Sequence, residues 1–348
     1  MKHIPQESTN PSPAHAATHH GSGLPFPPTP VVTAETAAAI GATGSRGRGA
    51  GITVPARGLR QRRGSRPTGV QLAVAHAQQD PGLVVSHTTA AEVWGIWLPR
   101  RFEGASHLTR RRGERTRGED RVVGTRPRRP DVVGHLQAIP DAHVHRVADR
   151  HGDWRVTDAV WTWTELGACG LGLEDLVVAG DALLRRADGP RGGAVVGKGH
   201  PLATVTDMRA VLEARGRLRG KRLLRAALEL VRSGSDAPTE SRLRLRLVDA
   251  GFPEPETNGR VLLGVEPDGW EDWSGPKDLL WRRWRIAVEY EGAHHFEQAD
   301  QYRRDMRRDE ALRDRGWIVL RVDRDVWTPA GWAAFVRRLR AAFTRQGR

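Results

Sequence analysis

Lys277-Asp-Leu-Leu-Trp281, Arg282-Arg-Trp-Arg285 and Ile286-Ala-Val-Glu-Tyr-Glu291, closed by Gly292, decide how the C-terminal third of the chain folds. Two apolar runs joined by four residues predict a β-hairpin. In the second run Ile286, Val288 and Tyr290 share one face, and Ala287, Glu289 and Glu291 share the other. Closing the four-residue loop pairs Trp281 with Ile286 and, counting back, sets Asp278 opposite Glu289. Directly paired side chains stand roughly 4.5–5.5 Å apart at Cβ, and like charges there destabilise a sheet. Asp278, Glu289 and Glu291 are therefore expected to share a cation. Three hard oxygen donors on rigid strands suit Mg²⁺ or Mn²⁺. A slip of one residue would turn Asp278 to the other face. The plainer reading is of solvent-facing glutamates neutralised by the arginines of Arg282–Arg285.

Just upstream, Thr239-Glu-Ser-Arg-Leu-Arg-Leu-Arg-Leu-Val-Asp-Ala-Gly251 alternates like a strand but carries helix ends. Pro238-Thr239 supplies a start, Glu240 a first-turn charge and Gly251 a stop, so a helix is expected. Downstream come His294-His295, a charged helix from Tyr302 to Arg315, and the apolar strand Trp317–Val322. Thr328-Pro329 caps a last amphipathic helix with Trp332, Phe335, Val336, Leu339 and Phe343 inside. Helix, hairpin, helix, strand, helix gives an α/β (α+β) domain at 234–348 whose mixed central sheet is flanked by helices.

Further upstream, Ser233-Gly-Ser-Asp-Ala-Pro238 reads as a linker. Residues 69–233 read as a mainly helical domain, with helices at Val70–Gln78, His87–Trp94, Ala159–Leu166, Leu173–Arg186, Thr206–Arg215 and Lys221–Val231. Arg100–Arg129 is dense in arginine and reads as a loop. Asp141-Ala-His-Val-His145 spaces three possible ligands along one strand face, a pattern of a metal site or simply of a polar face. Residues 1–68 are rich in Pro, Ala, Gly, Thr and Ser and are expected to be disordered.

The 348 residues carry 55 Lys and Arg against 41 Asp and Glu, a formal charge of +14 that permits a polyanionic partner. The single cysteine, Cys169, excludes a disulfide framework and a Cys-based zinc site and reads as a buried thiol. No run reaches the roughly 18 apolar residues of a membrane span. The N-terminus has no apolar signal core, so no membrane partner and a cytoplasmic location are expected.

The blocks Pro238–Asn258, Lys277–Trp281, Val288–His295 and Tyr302–Val322 together resemble the endonuclease-like domain of unknown function 559. That family is related to very-short-patch-repair endonucleases within the PD-(D/E)XK superfamily, and the likeness covers about 85 residues. It implies a restriction-endonuclease-like fold with Asp278 and Glu289 as metal-binding acids and Glu291 beside them. It also implies supporting roles for Glu240, His295 and Arg304. Glu291 stands where Asp is commoner, and it fills the slot of the superfamily's usual lysine. Residues 70–235, including Val84–Pro99, Arg155–Trp163 and Asp175–Arg186, resemble the middle region of AbiEi-type antitoxin-like or regulator-like actinobacterial proteins. The winged-helix segment usual before it is not recognisable.

The leading expectation is a metal-dependent DNA endonuclease or repair-type nuclease. Asp278, Glu289 and Glu291 would hold Mg²⁺ or Mn²⁺, His295 would act as acid/base or phosphate donor, and Arg304 and Arg308 would grip the backbone of DNA. The rival is a non-catalytic, DNA-binding antitoxin-like transcriptional regulator that keeps a nuclease-like fold.

Overall fold

The computed structural model describes residues 30–39, 51–112, 125–129, 131–149, 152–185, 201–265, 267–269, 271–291 and 299–347. Two compact units emerge, Met1–Ser65 and Arg66–Arg348. In the first, β1 (Val31–Thr33), α1 (Ala34–Ala39), β2 (Ile52–Thr53) and β3 (Leu59–Arg62) build an antiparallel sheet in the order β1-β3-β2. Val31, Val32, Ala37, Ile52 and Leu59 are buried in it. The described part of 1–68 is thus folded, contrary to the expectation of disorder. Strands of two to four residues are too short to show a period.

The second unit begins with α2 (Gly69–Gln79), whose Thr68 and Gln71 form a reciprocal capping box. Then come β4 (Leu83–Val85), α3 (His87–Trp94), β5 (His107–Arg111), β6 (Val133–Gln137), β7 (Val144–Asp149) and β8 (Gly152–Thr157). Four helices follow: α4 (Ala159–Leu166), α5 (Leu173–Leu184), α6 (Val205–Ala214) and α7 (Lys221–Leu230). The strands form a mixed five-stranded sheet in the order β6-β5-β4-β8-β7. Helices hold most of this region's regular structure, as expected, and the sheet they pack on is the part the sequence reading did not include. The cause lies in β5, inside the arginine-dense stretch: Leu108 is fully buried while Arg110 pairs with Asp80 and Arg111 with Asp141. Charged edges concealed an apolar centre. Leu83, Val85, Leu108, Val156, Trp163 and Leu176 share one core with the helices.

The C-terminal part comprises α8 (Pro238–Asp249), β9 (Glu256–Gly259), β10 (Leu262–Val265), β11 (Glu271–Trp273), β12 (Lys277–Trp281), β13 (Ile286–Tyr290), α9 (Ala299–Asp314), β14 (Ile318–Val322) and α10 (Pro329–Gln346). Residues 239–251 are a helix despite their alternation, with Pro238 in its first turn. The mixed sheet runs β14-β13-β12-β9: β9, β12 and β13 are antiparallel, and β14 joins β13 in parallel. Leu243 and Leu247 of α8 and Phe335 and Leu339 of α10 cover Leu279, Trp281, Ile286 and Val288 on one face. Leu312 of α9 covers Leu280 and Ala287 on the other. Each such buried aliphatic side chain stabilises by roughly 1.5–3 kcal/mol. A mixed sheet flanked by helices is the expected architecture.

The stretch 233–238 is not a free linker. Asp181 accepts from the Arg232 amide at 2.7 Å, and the Thr257 hydroxyl donates to the Ser233 carbonyl at 2.7 Å. Arg244, 1% exposed, donates to Asp181 (3.1 Å), Glu254 (2.7 Å) and the Leu230 carbonyl (2.9 Å). The middle and C-terminal parts are thereby locked through α5 and α8. Among the described residues no helix is long and apolar enough to cross a membrane.

Candidate functional site

The hairpin pairs Trp281 with Ile286, Leu280 with Ala287 and Leu279 with Val288, the register read from the loop length. One residue further the alternation breaks. Lys277 pairs with Gly259 and Leu279 with Thr257, while the residue between the two partners, Asn258, adopts a left-handed φ of 51°. Left-handed backbone costs a non-glycine residue roughly 1 kcal/mol or more and marks a kink in the ladder. Past the kink it is Lys277 that reaches Glu289, with Nζ 2.5 Å from Oε1, and Asp309 of α9 at 2.7 Å. Asp278 turns instead toward α8, where its charge acts on Glu240, and its Oδ2 accepts the Tyr290 amide at 2.6 Å.

The expected convergence of Asp278, Glu289 and Glu291 is therefore corrected. The structure does not gather these three carboxylates around one point: among the described residues only three histidines elsewhere converge as a metal-capable group. The physical reason is compensation. Arg321 of β14, directly paired with Glu289, sits 3.6 Å from Glu289, 3.0 Å from Glu291 and 2.6 Å from Asp309. Lys277 and Arg321 thus face Glu289, Glu291 and Asp309. Burial alone would raise the Asp309 carboxyl, but hydrogen bonds and charge from Lys277 and Arg321 hold it below the ordinary value. Burial would lower Lys277, yet the charge of Glu289 and the bonds to Asp309 and Glu289 raise it. The network is an anchor of α9 onto the sheet. The hairpin arginines play no part in it: Arg282 pairs with Glu256, and Arg285 donates to the Arg315 carbonyl.

Glu240 and Asp278 bring two carboxyls near one another, on α8 and β12. Glu240 is buried and accepts from two neutral donors, the Asp236 amide at 2.8 Å and the Asn258 side chain at 3.0 Å. Burial, then the charge of Asp278, push its carboxyl up to about 8. Two neighbouring carboxyls, one of them buried, offer the hard oxygen donors that a divalent cation takes. As disposed here, Glu289 and Glu291 do not fit one, because cationic side chains already occupy their oxygens.

His295 and the side chain of Arg304 lie outside the described residues. Arg308 is exposed on α9 with its guanidinium beside Gly275, at the entry to β12. The spaced ligands of 141–145 do not assemble. Asp141–His143 is a 3₁₀ turn, Asp141 pairs with Arg111, His143 with Asp158, and His145 packs edge-on against Trp94. The Cys169 thiol is pushed up to about 12 by burial and by Glu165, so it is no nucleophile at neutral pH. Sequence reading missed Lys277, Asp309 and Arg321. Lys277 stands next to Asp278 in the quoted motif, and only the kink at Asn258 reveals its role.

Two uncharacterized proteins of Mycobacterium tuberculosis, from strains CDC 1551 / Oshkosh and H37Rv, are each 32% identical to this chain over 111 residues. The match covers 32% of this chain and 38% of each relative, so the chain spans under two fifths of the length of the curated relatives it matches. No family model matches the chain, and no solved structure does.

Proposed function

We propose that the C-terminal part is a metal-dependent DNA endonuclease or repair-type nuclease whose cation is held by Asp278 and Glu240. The observation that carries this reading is the buried Glu240 carboxyl, raised by burial and then by the Asp278 charge, which accepts from the Asp236 amide and the Asn258 side chain. The four-stranded mixed sheet and the resemblance of its motifs to the endonuclease-like family support it. Mg²⁺ or Mn²⁺ bound there would polarise a phosphoryl oxygen and acidify a bound water. The chain's own residues position the reaction: the Tyr290 amide fixes the Asp278 carboxylate, and Asn258 fixes Glu240. Arg308 offers a fork for the phosphate backbone, and the Lys277 ammonium, 2.5 Å from Glu289, would supply a cation that position 291 lacks. The experiment is plasmid nicking by the full chain with Mg²⁺ or Mn²⁺. Wild type is expected to nick, and Asp278→Asn and Glu240→Gln to lose a hundredfold or more; full activity in folded Asp278→Asn would end the assignment.

The neutralised network around Glu289 favours the second reading, a DNA-binding regulator that keeps the nuclease-like fold without cleavage. It predicts salt-sensitive DNA binding that is indifferent to Asp278→Asn and to chelation of divalent ions.

A further inference from the structure

In the middle region three imidazoles meet without any spacing motif to announce them. His87 opens α3, His107 opens β5 and His135 lies on β6, the parallel neighbour of β5. One nitrogen from each ring lies within 4.8 Å of the other two, and His107 Nδ1 stands 2.9 Å from His135 Nε2. The His87 and His135 rings stack at 3.6 Å, and His107 lies 5.2 Å from His135. His87 and His107 are buried or nearly so, while His135 is half-buried and leaves a way in. No carboxylate oxygen belongs to the group of three, and the chain's only cysteine is elsewhere.

Two further observations point to a ligand. His87 has a φ of 55°, in the left-handed region, which costs a non-glycine residue about 1–3 kcal/mol unless its surroundings demand the pose. The surroundings do: the His87 amide donates to Glu165 Oε2 at 2.9 Å, and the ring nitrogen Nδ1 lies 3.0 Å from Ser86 Oγ and 3.7 Å from the same carboxylate. Glu165 is 1% exposed, and its other oxygen, Oε1, is buried with no hydrogen-bond partner. A hydrogen bond to the second nitrogen orients a metal-bound imidazole; here Ser86 Oγ holds the His87 ring while Glu165 holds the backbone that presents it. Burial lowers all three imidazoles, His107 and His135 each to about 4, which favours the neutral form that a metal takes.

We propose that His87, His107 and His135 bind one divalent transition ion of the Zn²⁺ class, clamping α3 to β5 and β6. Three imidazoles select Zn²⁺, Ni²⁺, Cu²⁺ or Co²⁺ over Mg²⁺, which takes oxygen ligands. With Zn–N bonds of about 2.0–2.1 Å the three nitrogens would stand roughly 3.3 Å apart, so His107 and His135 would separate slightly from 2.9 Å while the stacked rings turn their nitrogens toward the ion. The fourth position faces Gln137, whose amide nitrogen lies 3.3 Å from His87 Nε2 and whose Oε1 accepts from Arg215 at 2.9 Å. Gln137 also lines a cavity of about 600 Å³ with Arg215 and Trp161, so it stands between that cavity and His87. This centre is independent of the acidic pair in the C-terminal part.

The test is metal titration of the chelator-stripped full chain with Zn²⁺, with Mg²⁺ as control, and Co²⁺ as a visible probe of ligand type. The expected result is one Zn²⁺ per chain and a tetrahedral, nitrogen-ligated Co²⁺ spectrum. His107→Gln/His135→Gln is expected to lose tenfold or more in Zn²⁺ affinity and to lose the Co²⁺ band. Zn²⁺ stoichiometry and affinity unchanged in the folded double variant would overturn the site and assign binding to other histidines. Should that variant not fold, the wild-type Co²⁺ spectrum decides: octahedral, oxygen-type absorption overturns the proposal equally.

Discussion

The histidine cluster and the acidic cluster invert each other. At the histidines no motif exists in the sequence, yet three like groups converge with one unpartnered carboxylate oxygen behind them. At the acids a motif stands in plain view, yet Lys277 and Arg321 compensate Glu289, Glu291 and Asp309 so that those carboxylates leave no vacancy for an ion. Beside them, burial and the Asp278 charge act together on the Glu240 carboxyl. Whether titratable residues form a cation site depends on which opposite charges reach them first. Sequence spacing reports the acids and is silent about the partners.

The comparison breaks most sharply at Lys277. Lys277→Met leaves buried Asp309 and half-buried Glu289 with one cation fewer, and removing one partner of a buried pair costs about 3–5 kcal/mol. Urea unfolding of the variant beside wild type measures it; an unchanged midpoint would mean that the network is not what anchors α9. At the histidines the expected effect has the opposite origin, a gain on filling. Zn²⁺ at a hundredfold excess over its dissociation constant stabilises by about 2.7 kcal/mol, a rise in Tm on the order of 5–10 °C that Mg²⁺ does not reproduce.

A pH series sharpens the comparison at Glu240. Its carboxyl titrates at about 8 in the folded chain against an ordinary 4.5, so folding favours the protonated form. That contribution is complete below about 4.5 and is lost as pH rises through about 8. Glu165, raised to about 7, adds a slope of the same sign. Glu240→Gln therefore flattens part of the fall in stability between these pH values, measured by urea midpoints without divalent ions; an unflattened profile would contradict the buried like-charge pair. The smallest effect belongs to the hairpin arginines. Arg282 and Glu256 are both about half exposed, so Arg282→Ala changes stability by no more than about 1 kcal/mol in the same assay.

Much of the C-terminal architecture was legible. The caps around Pro238–Gly251 outvoted a strand-like alternation, the four-residue loop gave the hairpin register, and the apolar run Trp317–Val322 holds the parallel strand of a mixed sheet. The site was legible only up to Leu279. Past Leu279, beside left-handed Asn258 on the neighbouring strand, it is Lys277 and not Asp278 that meets Glu289, and no local pattern in 277–291 records it. The middle sheet escaped because β5 keeps one fully buried leucine among arginines, and with it went His107 and His135. Asp141–His145 misled for the converse reason: regular spacing was read as a strand face where the backbone makes a 3₁₀ turn.

The most direct test is Mn²⁺ titration of the full chain with DNA present, comparing Asp278→Asn with Glu289→Gln, after Zn²⁺ has filled the histidines. Wild type is expected to bind, Asp278→Asn to lose the site, and Glu289→Gln to stay within tenfold of wild type. Binding that survives Asp278→Asn but vanishes in Glu289→Gln would contradict the account.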